Sequence, residues 1–128
     1  MGLDSQQIET FFRLQTNSRY DAIMTHCKKQ KDLWVLHDED GCILVDLGKD
    51  KVLPIWHDET LANTWRGNEY EKSQALHIKF TDFVEKWLPG MAKDGFNLGI
   101  APNLAGEGIV VSPEEFAADI GVRFELSE

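Results

Sequence analysis

The sequence predicts a mixed α+β domain in which helices cover a largely antiparallel sheet of about five strands. Two kinds of segment support this class: amphipathic runs with apolar residues three and four positions apart, and short runs that alternate apolar with polar residues. Their order along the 128 residues is helix, helix, hairpin, helix, strand, helix, hairpin, helix. Because most strands come as adjacent pairs, an antiparallel sheet is favoured over a regular βαβ series. The length suits a single domain over residues 1–128.

The first half of the chain predicts two helices followed by a β-hairpin. Asp4 begins a capping pattern for the first helix. Ser18 opens a second helix, whose apolar stripe has helical spacing: Tyr20, Ile23, Met24 and Cys27. Two mostly apolar runs, 33–37 and 42–47, then flank a polar turn that ends in Gly41. This arrangement is typical of a hairpin, with the glycine free to take a positive φ.

The middle of the chain predicts a helix, a strand and a second helix. After Pro54, either His57 or Asp58 caps a short helix, and residues 75–80 alternate as a half-buried strand. Thr81 caps the next helix, which Pro89 kinks or restarts because proline lacks a backbone donor. The buried face of that helix carries Phe83, Val84, Trp87 and Leu88.

The last third predicts a second hairpin and a final helix. Residues 96–100 and 109–111 form the two strands, with a glycine-rich turn between them. Ser112 starts the last helix, since proline and glutamate follow it at the favoured positions. Residues 122–126 alternate again and predict a short edge strand.

Composition limits the classes of partner and the compartment. With 22 acidic and 13 basic residues the formal net charge is -9, which disfavours nucleic acid and anionic membrane surfaces. The same charge favours a basic protein partner or a metal cation, although most acidic surfaces serve only to keep a protein soluble. The two cysteines are too few for a disulfide scaffold, and we interpret both as reduced and structural. No long apolar run and no leader pattern are visible, so we expect a cytoplasmic protein.

The densest polar cluster follows Trp56 and consists of His57, Asp58 and Glu59. A histidine beside carboxylates is typical of acid–base chemistry or of metal binding. However, adjacent helical residues point about 100° apart, so these three need help from elsewhere to converge. Capping at a helix N-terminus explains the two carboxylates without chemistry. His37 and His77, which lie on predicted strands, and Trp56 are further binding candidates.

No other motif indicates a chemical reaction. The glycines near residues 106–108 precede a strand, which does not fit a phosphate-binding loop, and no serine lies in a nucleophile elbow. We therefore assign no catalytic residue, and predict no cofactor and no resident metal ion.

Several runs together resemble a known family. They are Trp34-Val35-Leu36 with Asp40-Gly41, Leu53-Pro54-Ile55-Trp56 leading to Ala62, and Phe83 with Trp87-Leu88-Pro89-Gly90-Met91 and Asp94-Gly95. The pattern is similar to the bacterial family called domain of unknown function 2750, over residues 19–120. The resemblance implies a small bacterial cytoplasmic protein. It carries over no catalytic residue, because the matching positions determine packing and backbone shape.

Two functions are consistent with these observations. The first is a noncatalytic interaction or regulatory module, with an immunity-type protein against a basic toxin as its specialised form. The second is a small enzyme or metal-binding protein that uses the region of His57, Asp58 and Glu59, completed by His37 or His77. The spatial arrangement of these residues decides between the two.

Overall fold

A computed structural model of the protein describes residues 3–47, 50–67 and 72–122. In chain order its elements are α1 (Ser5–Arg13), α2 (Thr16–Lys28), β1 (Leu33–Asp38), β2 (Gly41–Cys42), β3 (Val45–Leu47), β4 (Asp50–Ile55), α3 (Glu59–Arg66), β5 (Gln74–Ile78), α4 (Phe80–Asp82), a π-helical turn (Phe83–Trp87), α5 (Leu88–Asp94), β6 (Asn97–Ile100), β7 (Ile109–Val111) and α6 (Pro113–Ile120). The predicted α+β class is confirmed. Across those three ranges, no helix is both long and apolar enough to cross a bilayer.

The strands form two sheets, and the prediction of one sheet of about five strands is wrong. One sheet has the order β2-β1-β5 and is antiparallel throughout. The other has the order β3-β4-β6-β7 and contains one parallel pair, β4 with β6. Two backbone hydrogen bonds between Trp34 and Trp56, of 2.9 and 3.0 Å, join the sheets. The mostly antiparallel character is as predicted.

The second arm of the first predicted hairpin is divided between the two sheets. Gly41 takes a φ of 128°, as predicted for the turn, and β2 pairs with β1 for only two residues. The chain then leaves β1, and Val45 pairs with Val52 of β4. Apolar alternation identifies an extended segment but not its neighbour, because both sheets offer a half-buried surface.

Strand β4 was not predicted, and it contains Pro54, a residue type that is uncommon inside a strand. The hydrogen bonds of Ile55 and Trp56, the next two residues of the chain, explain why Pro54 is tolerated. Ile55 accepts a hydrogen bond from Ala101 on the β6 side, whereas Trp56 bonds to Trp34 on the opposite side. Backbone polar groups alternate in direction along a strand, so the nitrogen of Pro54 faces away from β6. The ladder with β3 ends at Val52, and the missing N–H therefore breaks no bond in either ladder.

The helix ends follow the capping chemistry of the sequence. Asp4 and Gln7 form a reciprocal capping box at α1, and Ser112 and Glu115 form another at α6. Each box satisfies two backbone donors that a helix start would leave free. Helix α2 begins at Thr16, two residues before the predicted start at Ser18.

The helical run from Phe80 to Asp94 differs from its prediction in two ways. It begins before Thr81, so this residue is not the cap, and Phe80 leaves the strand to be buried at the helix start. A π-helical turn then precedes Pro89, and the N–H of Leu88 bonds to the carbonyl of Phe83 five residues back. This wider turn changes the helical phase, so the fully buried pair is Phe83 with Leu88, and Trp87 is only partly buried.

A single apolar cluster connects the helices with both sheets. It includes Phe11 of α1, Ile23 of α2, Val35 of β1, Leu98 of β6 and Phe116 of α6. The second predicted hairpin is confirmed as β6 and β7. The predicted edge strand over 122–126 lies almost entirely outside the described residues.

Candidate functional site

The side chains of His57, Asp58 and Glu59 have separate environments. Asp58 is the N-cap of α3, and its carboxylate accepts the backbone N–H of Thr60 at 2.9 Å. Glu59 is exposed in the first turn of that helix. The capping interpretation of Asp58 is therefore confirmed, and its carboxylate is engaged locally and not with His57. Trp56, the residue before the cluster, is fully buried, so it has no surface with which to contact a ligand.

The partly buried ring of His57 packs against two other rings. Its centroid lies 5.0 Å from that of Phe11 and 5.4 Å from that of His26. Nδ1 of His57 is buried and has no hydrogen-bond partner among the described residues. Burial, and to a smaller extent the neighbouring His26, lower the pKa of His57 to about 4, and the Asp58 carboxylate opposes this shift. The imidazole is thus neutral at physiological pH, and no described residue forms a hydrogen bond to Nδ1 that would orient the ring for proton transfer.

One edge of His57 lines an open groove along α1, which we call the α1 groove. Its volume is about 410 Å³, and its walls carry no charged side chain: Leu3, Gln6, Gln7, Thr10, Phe11, Leu14 and His57. Apart from His57, every lining residue comes from α1 or from its two flanks. A groove with this lining favours apolar contact over ionic recognition.

A second polar cluster centres on the carboxylate of Asp32, just before β1. One oxygen accepts the backbone N–H of Phe80 at 2.9 Å, and the other lies 2.8 Å from Nε2 of His77. The bond from Phe80, followed by that from His77, holds the pKa of Asp32 below its usual range. The carbonyl of Asp32 also lies 2.6 Å from Nε2 of His26. Since Lys79 provides no side-chain cap for α4, Asp32 supplies this cap from a distant position in the chain.

His37 and His77 point to opposite faces of their sheet. His77 is the cross-strand partner of Trp34, and the two rings are 4.9 Å apart. His37 lies three residues from Trp34 along β1 and pairs with Gln74. Because side chains alternate between faces, an odd separation places the two histidines on different sides. They do not approach each other, and neither reaches His57 through a hydrogen bond.

His37 instead borders a cavity at the end of the first hairpin, which we call the acidic cleft. The cleft has a volume of about 530 Å³ and is lined by His37, Asp38, Glu39, Asp40, Lys72 and Gln74. The carboxylate of Asp38 accepts the backbone N–H of Asp40 at 2.8 Å, and this local bond fixes the turn that carries the three carboxylates. The cleft thus presents negative charge from a defined backbone.

Arg19 is an ordered polar centre that the sequence interpretation missed. It is only 1% exposed, and its guanidinium donates to the carbonyls of Leu14, Ala101 and Glu107 and to the hydroxyl of Thr16. Burial lowers the pKa of Arg19, and the charge of Glu107 opposes that effect. The available signal was its spacing, since Arg19 lies four residues before Ile23 on the buried face of α2.

Two tryptophans reinforce the segment that Arg19 holds, which we call the 101–107 loop. Nε1 of Trp56 donates to the carbonyl of Pro102 at 3.4 Å, and Nε1 of Trp65 donates to that of Asn103 at 2.8 Å. Three successive carbonyls of the loop therefore receive a bond from a large, at least partly buried side chain. Buried indoles need such acceptors, which explains how these tryptophans combine packing with hydrogen bonding.

The remaining ligand-type side chains do not gather at one point. In the described ranges no group of three histidine, cysteine, aspartate or glutamate residues could hold a metal ion. Cys27 is buried, as expected, and burial raises the pKa of its thiol to about 12. Cys42 is free and exposed on β2, so it contributes less to packing than we expected.

Comparison with known proteins identifies a family but no named relative. The family model described as "Protein of unknown function (DUF2750)" matches residues 20–120. No curated protein and no solved structure matches the chain. The match includes the acidic cleft and the 101–107 loop but not α1.

Proposed function

The chain belongs to the family described as protein of unknown function (DUF2750), and we propose that it is a noncatalytic interaction or regulatory module for a basic protein partner. The acidic cleft is the observation that carries this proposal. It combines a cavity of about 530 Å³ with three consecutive carboxylates and a single lysine among its lining residues. An arginine or lysine side chain of a partner fits this chemistry, because its cation would meet several acceptors at once.

The turn of the hairpin supports recognition without a large change of shape. Gly41, with a φ of 128°, closes the turn, and the bond from Asp40 to Asp38 holds its centre. Glu39 and Asp40 are exposed, so binding a cation there requires little desolvation before contact. Charges in this position chiefly accelerate association and exclude acidic partners.

The overall charge favours the same class of partner. A formal net charge of -9 attracts a basic protein over a distance set by the ionic strength. In the specialised form of the proposal, the partner is a basic bacterial toxin that the chain neutralises by covering its positive surface. Fast, charge-steered association would suit that role.

The enzyme alternative receives less support from the geometry. A histidine base needs a neighbouring group that fixes its orientation and a proton to abstract within reach. Within the described ranges, Nδ1 of His57 has no hydrogen-bond partner that would fix the orientation of the ring, and the carboxylate of Asp58 serves as a helix cap. We therefore do not extend the proposal to catalysis at His57, Asp58 and Glu59.

Charge-matched variants test the proposal. The cleft variant replaces Asp38, Glu39 and Asp40 with their amides, and the control variant makes the same replacement at Asp21, Glu85 and Asp94, which are exposed on helices. A lysine-rich peptide is titrated into each protein at low and at high salt, and backbone amide shifts are recorded.

The proposal predicts a response centred on residues 37–42 and 72–74, and binding about tenfold weaker in the cleft variant than in the control at low salt. Equal weakening in the two variants would contradict the proposal, because only net charge would then matter. A partner captured from a lysate counts as support only if the cleft variant loses it and the control retains it.

A further inference from the structure

Two large apolar side chains are exposed in the described part of the chain, and both belong to segments bonded to Arg19. Leu14 is 38% exposed at the corner between α1 and α2, and Leu104 is 63% exposed in the 101–107 loop. The guanidinium of Arg19 donates to the carbonyl of Leu14 and, on its other side, to those of Ala101 and Glu107. One guanidinium spans these acceptors, so the two segments lie side by side.

The 101–107 loop is fixed more firmly than a connection between two strands requires. Arg19, Trp56 and Trp65 together donate four hydrogen bonds to carbonyls of this loop. In addition, the side-chain oxygen of Asn103 accepts the backbone N–H groups of Ala105 and Glu107, at 3.0 and 2.9 Å. Leu104 therefore lies on a loop that is fixed both by its own hydrogen bonds and by those from the side chains packed against it. An apolar side chain on a preorganised loop loses little conformational entropy when a partner covers it.

Leu14 continues into the α1 groove, where Leu3 and Phe11 provide further apolar surface and the lining side chains are uncharged. His57, at the floor of the groove, adds no charge at neutral pH, because burial and the neighbouring His26 keep its pKa low. We call the α1 groove together with Leu104 the apolar strip, and exposed apolar side chains grouped in this way are typical of an interaction site.

The charged residues that border this strip are mainly acidic. Asp4 precedes α1, Asp58 follows His57, and Glu107 ends the loop; the charge of Arg13 is compensated by Glu9, whose carboxylate lies 2.6 Å away. An uncharged centre with an acidic border complements a helix that has an apolar face and basic flanks. A second copy of this chain fits less well, since both copies would carry a formal net charge of -9.

We infer that the α1 groove and Leu104 together form a docking surface, here called the leucine surface, for a basic amphipathic helix of a protein partner. One apolar side chain of that helix occupies the groove beside Leu14, and another contacts Leu104. This inference is independent of the acidic cleft and adds a second contact to the proposed module.

The test uses a synthetic amphipathic helix of leucine and lysine. Two further peptides serve as controls: the same composition with its leucines scattered around the helix, and a counterpart with glutamate in place of lysine. The proteins are the natural chain, the double variant Leu14→Gln/Leu104→Gln, the control Ala118→Gln on the exposed side of α6, and the cleft variant. Thermal unfolding first establishes that each variant is folded.

We expect the basic amphipathic peptide to bind at least about tenfold more tightly than either control peptide, with amide shifts on α1 and in the 101–107 loop. The double variant should lose at least about tenfold in affinity, and Ala118→Gln should lose none. Equal binding of the scattered peptide, or an unchanged affinity of the double variant, would overturn the inference.

The same experiment separates the two proposals. If only the cleft variant loses affinity for the amphipathic peptide, the leucine surface is wrong. If only the double variant loses it, the leucine surface is supported, and the acidic cleft is judged by its own titration with the lysine-rich peptide. Sedimentation of the natural chain completes the test, because a dimer abolished by Leu14→Gln/Leu104→Gln would show that this surface binds a second copy instead.

Discussion

Lowering the pH from about 7 to about 5 should destabilise the protein by about 2 kcal/mol through the buried ring of His57. The pKa of this residue falls from 6.5 to about 4 on folding, mainly because burial disfavours the charged form. The unfolded chain therefore binds a proton below about pH 6.5, while the folded chain resists protonation until about pH 4. The contribution of neutral His57 to the free energy of unfolding is fully present above about pH 6.5. It is lost as the pH falls from about 6.5 to about 4, and the total loss is about 3 kcal/mol.

The groups that face His57 determine how the measurement is designed. His26 disfavours the charged ring, Asp58 favours it, and Phe11 covers it without charge. Ordinary carboxylates stay ionised above about pH 5, so urea titrations at about pH 7 and pH 5 report mainly on histidine. The variant His57→Phe keeps a ring against Phe11 and His26 but cannot titrate.

We expect His57→Phe to lose most of the pH dependence and to be more stable than the natural chain at the lower pH. The control is His37→Gln, which leaves His57 untouched and should keep the decrease of about 2 kcal/mol. A natural chain whose stability is equal at the two pH values would refute the reasoning, since the ring would then be solvated. The same conclusion would follow if His57→Phe retained the full decrease.

Four further substitutions test the structural interpretation. Arg19→Lys should destabilise the fold by about 2–4 kcal/mol and accelerate amide exchange in the 101–107 loop, because one ammonium group cannot replace a guanidinium that bonds to several carbonyls. Unchanged exchange would show that Arg19 does not hold this loop in place. Asp32→Ala should cost about 1 kcal/mol in urea unfolding by removing the cap of α4, and no loss would show that the cap is dispensable. Phe83→Ala should cost about 3–5 kcal/mol and Trp87→Ala less, because Phe83 is fully buried and Trp87 is not; the reverse order would exclude the π-helical phase.

Local chemistry made the helix ends predictable. The caps at Asp4, Asp58 and Ser112 depend on residues within three positions of each other, so the sequence contains all the partners. The start of α4 was misplaced because its cap comes from Asp32, 48 residues before Phe80. No local pattern records such a partner. Capping thus follows from sequence when the donor and acceptor are neighbours and fails when tertiary structure brings them together.

Strand order and the candidate site depended on distant contacts. Strand β4 contains Pro54, whose nitrogen lies at a position where neither neighbouring strand needs a hydrogen bond. The local sequence does not reveal that position, because it depends on which strands lie beside β4. The histidines were identified as polar positions, but whether His37 and His77 met depended on the register of β1 with β5. Arg19 was missed for a related reason, since a charge on an apolar stripe looks like a solvated position until its acceptors in the 101–107 loop are known.

The hydrogen bonds of Arg19 connect the fold to the leucine surface. Its charge is buried, and its hydrogen-bond partners are carbonyls and a hydroxyl, not a carboxylate. Loss of this guanidinium would leave several buried carbonyls without a donor, and the guanidinium also fixes two segments relative to each other. Those segments carry Leu14 and Leu104. The family match covers the acidic cleft but begins at residue 20, after α1. We therefore expect binding at the acidic cleft to require only the part of the chain that matches the family, and binding at the α1 groove to require α1 as well.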